Sequence, residues 1–216
     1  MNLIIFGPPG AGKGTQSNFI VNKYKLFQLS TGEILRDEIK KKTELGNTIF
    51  STMNAGLLVN DEIVSKVVER YVSNNIYKNK IIFDGYPRNT LQAKNLEKLL
   101  NKYDQKISLV LKLSVSLEVI KKRISGRSVC SICGKIYNEY FNPAPLNAEC
   151  CSSKFLQKRS DDTLNVAIKR FQTYEKSTEP LIEYYKKLNL LKVVNGESPI
   201  SKINEEISGL IDVNEG

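Results

Sequence analysis

The sequence contains no histidine, which excludes every mechanism that needs an imidazole base. It also lacks any apolar run close to the roughly 18–20 residues that a membrane-spanning helix requires. Met1 and Asn2 lead directly into a short apolar stretch, without the basic region and long apolar core of a secretory signal. Internal repeats and low-complexity segments are also missing. We therefore expect a cytoplasmic protein without a membrane partner.

The 216 residues are 41% hydrophobic and 25% charged, which is typical of one well-cored globular domain with a small insertion. The net charge of +9 would suit nucleic acid, a membrane surface or polyphosphate substrates. Lysine runs such as residues 40–42 are typical of solvated helix faces. No basic cluster is interleaved with aromatic residues, as single-strand binders require. We therefore expect no nucleic-acid partner.

The stretch from Gly7 to Thr15 reads GPPGAGKGT and stands between the apolar run at residues 3–6 and a predicted helix. Its glycines permit positive φ angles, so that backbone N–H groups can point at an anion, and the helix adds its positive dipole end. Lys13 is placed to reach the outer phosphates of a nucleotide, and Thr15 to approach a magnesium ion. The generic pattern G-x-x-x-x-G-K-[ST] is missed only at Gly14. We interpret this stretch as a phosphate-binding loop.

Short apolar runs alternate with helical segments, which predicts a parallel α/β sheet with helices on both faces. Asp84 ends the third run, at the edge of the sheet where ligands bind. A carboxylate there suits a magnesium ion held through water, and the alternative is a turn-forming aspartate before Gly85. The predicted strands are residues 3–6, 26–29, 80–84, 109–113 and 191–194.

Helix signals divide the rest of the chain. Ser30 and Glu33 have capping-box spacing, Asp162 is a candidate N-cap, and Pro180 would bend or split the helix that follows. About thirty residues without a strand precede the helix that begins at Asn60, which predicts a helical hairpin standing out from the sheet. Helices are predicted at residues 13–24, 44–54, 89–101, 117–125 and 163–188, with others beginning at Ser30, at Asn60 and at Ser198-Pro199.

Residues 126–162 contain four cysteines, several turn formers and short β-prone pieces, which predicts a small separate unit. Cys130 and Cys133 are followed, after sixteen residues, by Cys150 and Cys151, a spacing typical of zinc sites. Two interpretations stay open: Cys151 completes a tetrahedral site, or the unit binds no metal and is held by hydrogen bonds and packing. A redox pair is disfavoured, because Cys130-x-x-Cys133 does not open a helix.

Several cationic side chains follow turn or helix-end signals and are candidates to grip phosphate oxygens. Phosphoryl transfer between two nucleotides depends mainly on such positioning and charge stabilisation. A phosphate acceptor is already ionised near neutral pH, so the lack of histidine is no obstacle to this reaction. The candidates are Lys13, Arg36, Arg88, Arg123, Arg127, Arg159 and Arg170.

Two motifs carry a family resemblance: the phosphate loop with Gly14, and Phe83–Arg88 (FDGYPR) followed by Gln92. With these motifs the sequence resembles the adenylate kinases of the bacterial long form. The resemblance covers nearly the whole length of the chain. The resemblance implies a P-loop core with a five-stranded parallel sheet, a helical insertion that binds the nucleoside monophosphate, and a small β-rich lid. The core would comprise residues 1–29, 60–125 and 163–216, the insertion 30–59 and the lid 126–162.

The resemblance also implies the reaction ATP + AMP ⇌ 2 ADP, dependent on Mg²⁺, in a monomer whose two flaps close and exclude water. The implied catalytic residues are Lys13, Asp84, Arg88, Arg123, Arg159 and Arg170. The implied ATP-binding residues are Gly10, Ala11, Gly12, Lys13, Gly14, Thr15, Arg123, Arg127, Ile136, Tyr137 and Ser198. The implied AMP-binding residues are Thr31, Arg36, Leu57, Leu58, Val59, Gly85, Tyr86, Pro87, Arg88, Gln92, Arg159 and Arg170. Asp161 and Asp162 match acids that close the lid onto the core.

Lids of many related kinases carry Cys-x-x-Cys, sixteen residues, and then Cys-x-x-Cys or Cys-x-x-Asp. Cys130, Cys133 and Cys150 are in register with that pattern, but position 153 is serine and Cys151 adjoins Cys150. We favour a structural zinc ion held by all four cysteines.

Two alternative functions stay open. One is another nucleoside monophosphate kinase, which takes GMP, UMP or CMP or uses GTP, because base choice depends on few contacts near Thr31 and Gln92. The other is a non-catalytic nucleotide- or nucleic-acid-binding protein, supported by the basic charge and the zinc-ribbon-like segment. Arginines spread over both insertions disfavour the second alternative, because a binding module needs only one phosphate site.

Overall fold

The computed structural model describes residues 1–145 and 150–215, and a five-stranded parallel sheet lies at its centre. The order β2-β3-β1-β4-β8 places β1 in the middle, and β5, β6 and β7 form a separate antiparallel sheet. The strands are β1 (Asn2–Phe6), β2 (Phe27–Ser30), β3 (Ile81–Asp84), β4 (Ile107–Ser114), β5 (Arg127–Cys130), β6 (Ile136–Asn138), β7 (Leu156–Gln157) and β8 (Leu191–Asn195).

Helices cover both faces of the large sheet, as the unbroken apolar strands predicted. None of the helices in the described residues is long and apolar enough to cross a membrane. The helices are α1 (Lys13–Tyr24), α2 (Thr31–Lys40), α3 (Glu44–Asn54), α4 (Asp61–Val72), α5 (Thr90–Lys102), α6 (Leu117–Ser125), α7 (Leu164–Thr173), α8 (Pro180–Lys187) and α9 (Ile200–Glu215).

Strand β1 shows how the sheet divides the core into two layers. Successive side chains of a strand point to opposite faces. Leu3 and Ile5 pack in one buried cluster with residues of α1 and α9, while Ile4 and Phe6 pack in another with residues of α4, α5 and α8. All four side chains are at most 2% exposed. The predicted α/β fold with a parallel five-stranded sheet is therefore confirmed.

Two predicted helix starts are wrong in detail. Ser30 precedes α2 at the N-cap position, but its side chain does not cap the helix; instead the hydroxyl of Thr31 donates to the carbonyl of Gly85 at 3.0 Å. Thr163, and not Asp162, caps α7, since its Oγ1 accepts from the N–H of Val166 at 3.3 Å. The sequence therefore predicted where these helices begin, but not which side chain accepts from the free N–H groups of the first turn.

The predicted long helix over residues 163–188 is split. α7 ends at Thr173, a π-helical turn covers Tyr174–Thr178, and α8 begins at Pro180. Proline cannot donate a helical hydrogen bond, so it is tolerated where a helix begins. The last helix begins at Ile200, just after Pro199 rather than on it.

Candidate active site

The phosphate-loop candidate lies between β1 and α1, and its glycines are required by its backbone. Gly10 and Gly12 have φ angles of +84° and +97°, in the left-handed region that favours glycine. A Cβ on Gly10 would also lie only 3.0 Å from Cγ1 of Ile124. At position 14, a Cβ would stand 3.4 Å from Cδ1 of Ile136 in β6. A Cβ at position 14, the one mismatch with the generic motif, would therefore make an ordinary van der Waals contact with the small antiparallel sheet.

Lys13 begins α1 and its ammonium group is turned into the loop. Its Nζ donates to the carbonyl oxygens of Gly7, at 2.7 Å, and Pro8, at 3.1 Å. Burial lowers the pKa of Lys13 to about 8, against an opposing effect of Asp84 and with a further lowering by neighbouring arginines such as Arg88. Burial of the charged Lys13 side chain costs free energy, and an anion that enters the loop stabilises that charge.

Asp84 lies at the carboxyl end of β3, and its backbone pairs with Ile5 at the carboxyl end of the adjacent β1. The carboxylate is 8% exposed and accepts a hydrogen bond from Nε2 of Gln28 at 2.9 Å. The parallel register thus places it beside the phosphate loop, as the sequence predicted. An oxygen ligand at that point is of the kind that Mg²⁺ prefers.

The predicted phosphate-binding cations converge on one cavity beside the loop. Arg88 donates from Nε to the carbonyl of Gly85 at 2.7 Å, and Arg123 donates to the carbonyls of Ala11 and Gly196 at 2.9 and 2.7 Å. These backbone contacts hold the guanidinium planes in place. The cavity is lined by Lys13, Arg36, Arg88, Arg123, Arg127, Arg159 and Arg170.

Burial and neighbouring positive charges lower the pKa values of the arginines in this cavity. Burial lowers the pKa of Arg88 to about 10, and the nearby charge of Arg170 lowers it further while Asp84 opposes the change. The pKa of Arg36 is likewise lowered to about 10, first by burial and then by Arg159. Excess positive charge inside a partly closed cleft is the electrostatic signature of a polyanion site.

A second, smaller cavity adjoins the first on the side of α2, α3 and α4. It has an apolar floor of Leu35, Met53 and Val64 and a few polar groups at its rim, and its lining includes Thr31, Leu57, Leu58, Val59, Gly85, Arg88, Gln92 and Arg170. Five of these residues, Leu57, Leu58, Gly85, Arg88 and Arg170, also line the first cavity. The two cavities therefore meet at the arginines.

The model of the adenylate kinase family matches residues 5–190 of this chain. The chain belongs to the adenylate kinase family. It is 46% identical over 213 residues to an adenylate kinase of Pelagibacter ubique (strain HTCC1062), covering 99% of this chain and 100% of the relative. It is 39% identical to an adenylate kinase of Thermodesulfovibrio yellowstonii, covering 98% and 99%, and 39% identical to one of Caldanaerobacter subterraneus subsp. tengcongensis, covering 96% and 94%. The family inferred from the two motifs is confirmed.

Two of the nucleotide-binding residues implied by the resemblance to adenylate kinases lie outside both cavities. Tyr86 is buried at 1% exposure, and its hydroxyl donates to the backbone carbonyl of Gln92 at 3.3 Å. Ser198 lies in the turn before α9, where its N–H donates to the carbonyl of Asn195 at 3.4 Å. Gly196, two residues earlier, lines the first cavity in its place.

Several lining residues were missed in the sequence. Phe141 lines the first cavity, and its ring centroid lies 5.3 Å from the guanidinium of Arg123. Glu33 lines it too, and its Oε1 lies 3.8 Å from Nη2 of Arg159, another lining residue. Neither belongs to a nucleotide-binding motif: an aromatic residue among turn formers and a glutamate in the first turn of a helix both have common structural explanations.

The four cysteines of this adenylate kinase family member form one cluster, with all Sγ atoms within 4.8 Å of one another. Sγ of Cys133 lies 3.3 Å from that of Cys151, and Sγ of Cys130 lies 3.7 Å from that of Cys150. Four thiolates around a zinc ion at about 2.3 Å would stand roughly 3.8 Å apart. Cys151 reaches the cluster with a φ of +77°, so that adjacent cysteines can direct both sulfurs to one point. The donor set fits zinc.

Proposed function

We propose that this chain is an adenylate kinase, which transfers the γ-phosphoryl group of ATP to AMP and forms two ADP. The observation that carries the proposal is the pair of adjoining cavities that share Arg88 and Arg170. One cavity contains the phosphate loop, and the other, which is much smaller in this structure, has an apolar floor against which we propose that the base of AMP packs. Two nucleotides bound in this way would meet with their phosphates at the shared arginines.

The proposed roles follow from where the side chains lie. The loop N–H groups and Lys13 bind the ATP phosphates, and Arg88 and Arg170 bind phosphate oxygens of both nucleotides at their junction. Arg123 and Phe141 flank the part of the cavity near Gly196, where a planar base can stack. AMP phosphate is an ionised acceptor, so the reaction needs no side chain as a base. Positioning and charge stabilisation supply the rate.

Asp84 would hold the magnesium ion through water, beside Thr15 of the loop. When bound, the ion neutralises phosphate charge during transfer. The lid cysteines Cys130, Cys133, Cys150 and Cys151 would hold a structural zinc ion in a unit too small to build a large core of its own.

The proposal includes the domain division: a core of residues 1–29, 60–125 and 163–216, an insertion of 30–59 and a lid of 126–162. Lid and insertion would close over the substrates and exclude water. We further propose that the enzyme acts as a monomer in the cytoplasm on ATP, AMP and ADP, without a nucleic-acid or membrane partner.

Product analysis tests the function directly. Purified protein is incubated with ATP and AMP, GMP, UMP or CMP in turn, with and without Mg²⁺. Two ADP from ATP and AMP, only with Mg²⁺ present, is the expected result. Faster turnover of another monophosphate would assign a different kinase specificity. Salt-sensitive binding of DNA or RNA without any ADP formation would overturn the enzymatic assignment.

A further inference from the structure

Gln92 has both ends of its side-chain amide held by fixed partners. It is 1% exposed, lies in the first turn of α5 and lines the second cavity. Its Oε1 accepts from the backbone N–H of Arg88 at 2.8 Å, and its Nε2 donates to Oδ1 of Asp61 at 2.6 Å. The backbone N–H can only donate and the ionised carboxylate can only accept, so these neighbours prescribe which end of the amide is oxygen.

Asp61 is itself held in place. It is the first residue of α4, and both of its carboxylate oxygens accept from Nδ2 of Asn89, at 3.1 and 3.0 Å. Asn89 in turn caps α5, since its Oδ1 accepts from the N–H of Gln92 at 2.8 Å. The starts of two helices are thereby joined through one carboxylate, which holds the Gln92 amide in a single orientation.

The reversed amide would be disfavoured twice. Its NH₂ group would face the N–H of Arg88, and its oxygen would face the carboxylate of Asp61. In the observed orientation, one Nε2 hydrogen and one Oε1 lone pair stay available to a ligand. The Gln92 amide therefore presents to a ligand in the cavity one donor and one acceptor whose positions cannot exchange.

We propose that Asp61 is a positioning residue that sets the base selectivity of the AMP site, by fixing the polarity of the Gln92 amide. Adenine carries a 6-amino donor beside ring-nitrogen acceptors, whereas guanine and hypoxanthine carry a 6-oxo acceptor there. An amide of fixed polarity matches the first arrangement and sets acceptor against acceptor in the second. Rejection is strong where a buried polar group is left unpaired. This inference rests on the proposed function and adds to it a residue outside both cavities.

The first test is Asp61→Asn, which removes the charge and lets position 61 present either an oxygen or an NH₂ group. The expected result is a rise in KM for AMP and a fall of about 10-fold or more in the ratio of kcat/KM for AMP to that for GMP or IMP. The KM for ATP should stay within about 2-fold of wild type. Glu62→Gln is the matched control, because it removes a negative charge from the same helix turn at an exposed side chain.

The second test is the double variant Asp61→Asn with Gln92→Glu. The carboxylate introduced at position 92 can accept from both the N–H of Arg88 and the amide introduced at position 61, so the hydrogen bonds between the helices are retained. Both atoms offered to a base are then acceptors, which suits the N1–H and 2-amino donors of guanine. We expect the Tm of the double variant to lie closer to that of wild type than the Tm of Asp61→Asn does. The selectivity for AMP over GMP should still be lost. Because Gln92→Glu by itself changes the group that faces the base, the role of Asp61 is tested against Gln92→Leu: without the amide, Asp61→Asn should change the selectivity ratio by less than about 2-fold, and a full 10-fold effect there would contradict a positioning role.

Selectivity unchanged from wild type in either variant, or lowered equally by Glu62→Gln, would overturn the role of Asp61. Where Asp61→Asn alone fails to fold, Asp61→Glu decides: it keeps the charge but displaces the carboxylate, and it should lower the same selectivity ratio while the KM for ATP stays within about 2-fold of wild type. Failure of the wild-type protein to convert ATP and AMP to ADP is a separate outcome, which would overturn the proposed function.

Discussion

Oδ2 of Asp161, which lies between β7 and α7, is 2.8 Å from Nη1 of Arg170 and 3.8 Å from Nη1 of Arg36. One carboxylate thus pairs with an arginine of α7 and an arginine of α2. The side chain is only 4% exposed. Burial acts to raise the pKa of Asp161, but Arg170 and Arg36, with further arginines nearby, lower it below its ordinary value. Asp161 therefore neutralises the guanidinium groups that we propose to bind phosphate.

We expect Asp161→Asn to lower the free energy of unfolding of the nucleotide-free protein by about 1–3 kcal/mol, because buried arginines lose their counter-charge. Phosphates supply that charge, so ATP and AMP together should raise the Tm more in the variant than in wild type. Thermal unfolding without Mg²⁺ measures both effects. Asp37→Asn, which breaks an exposed pair with Lys40, is the control. An equal nucleotide-induced rise in both proteins would contradict this role.

Lys13 predicts proton uptake on nucleotide binding. With a pKa of about 8 in the free protein, it is largely neutral at pH 8.5, and bound phosphates raise its pKa. We expect uptake of up to roughly 0.7 proton per ATP at pH 8.5, from titration calorimetry in buffers of different ionisation enthalpy. Lys13→Met should take up none from this source. An uptake that is the same in both proteins would exclude Lys13.

The same shift affects stability, with a sign that follows from linkage. The ordinary lysine pKa of 10.5 lies above the folded value of about 8, so the unfolded chain binds more protons between these pH values. The contribution of Lys13 to the free energy of unfolding therefore rises as the pH rises through that window. In Lys13→Met the contribution should vanish, and denaturant titrations at pH 7.5 and 9.5 measure the difference.

Arg88→Ala should reduce turnover by about 10²-fold or more, since it removes a donor at the junction of the two cavities. The guanidinium is held by the carbonyl of Gly85, so a lysine would not reproduce its planar geometry. A coupled assay of ADP formation measures kcat and KM. Arg70→Ala on the exposed side of α4 is the control for loss of one positive charge. Unchanged kcat in Arg88→Ala would refute the role.

The cysteine cluster predicts one zinc ion per chain in protein purified without chelators. Cys133→Ser and Cys151→Ser should each lose most of the metal, because a tetrahedral site needs four ligands. A chelator should lower the Tm of wild type and leave both variants unchanged. Full zinc content in Cys151→Ser would show that Cys151 is dispensable, and zinc-free wild-type protein would support the metal-free lid.

Much of the cleft could be predicted because its signals are local. Gly10 and Gly12 are needed where the backbone turns between β1 and α1. Asp84 ends an apolar strand, and parallel strands bring their carboxyl ends to one edge. Arg88 and Gln92 belong to a short contiguous motif. Each prediction needed only neighbours in the chain and the alternation of strands with helices.

Partners distant in the chain were harder to predict. Asp162 was predicted to cap α7, yet it pairs with Arg127, thirty-five residues earlier, while Thr163 caps the helix. The Ser30 side chain makes no cap to α2, and the pairing of β2 with β3 instead brings the hydroxyl of Thr31 to the carbonyl of Gly85. A short polar side chain near a helix start has several satisfactory partners, and packing chooses among them.

By itself, the sequence determined the class of fold, the phosphate loop and the spacing of the four cysteines, because hydrophobic period and motif spacing are properties of adjacent residues. Only the tertiary structure decided that Asp161 joins Arg36 to Arg170, that Asp61 orients Gln92, and that Cys151 turns its sulfur toward Cys133. These contacts form between segments that the sheet and its insertions bring together. A buried polar group is stable only with its partner in place, so the folded arrangement sets its role.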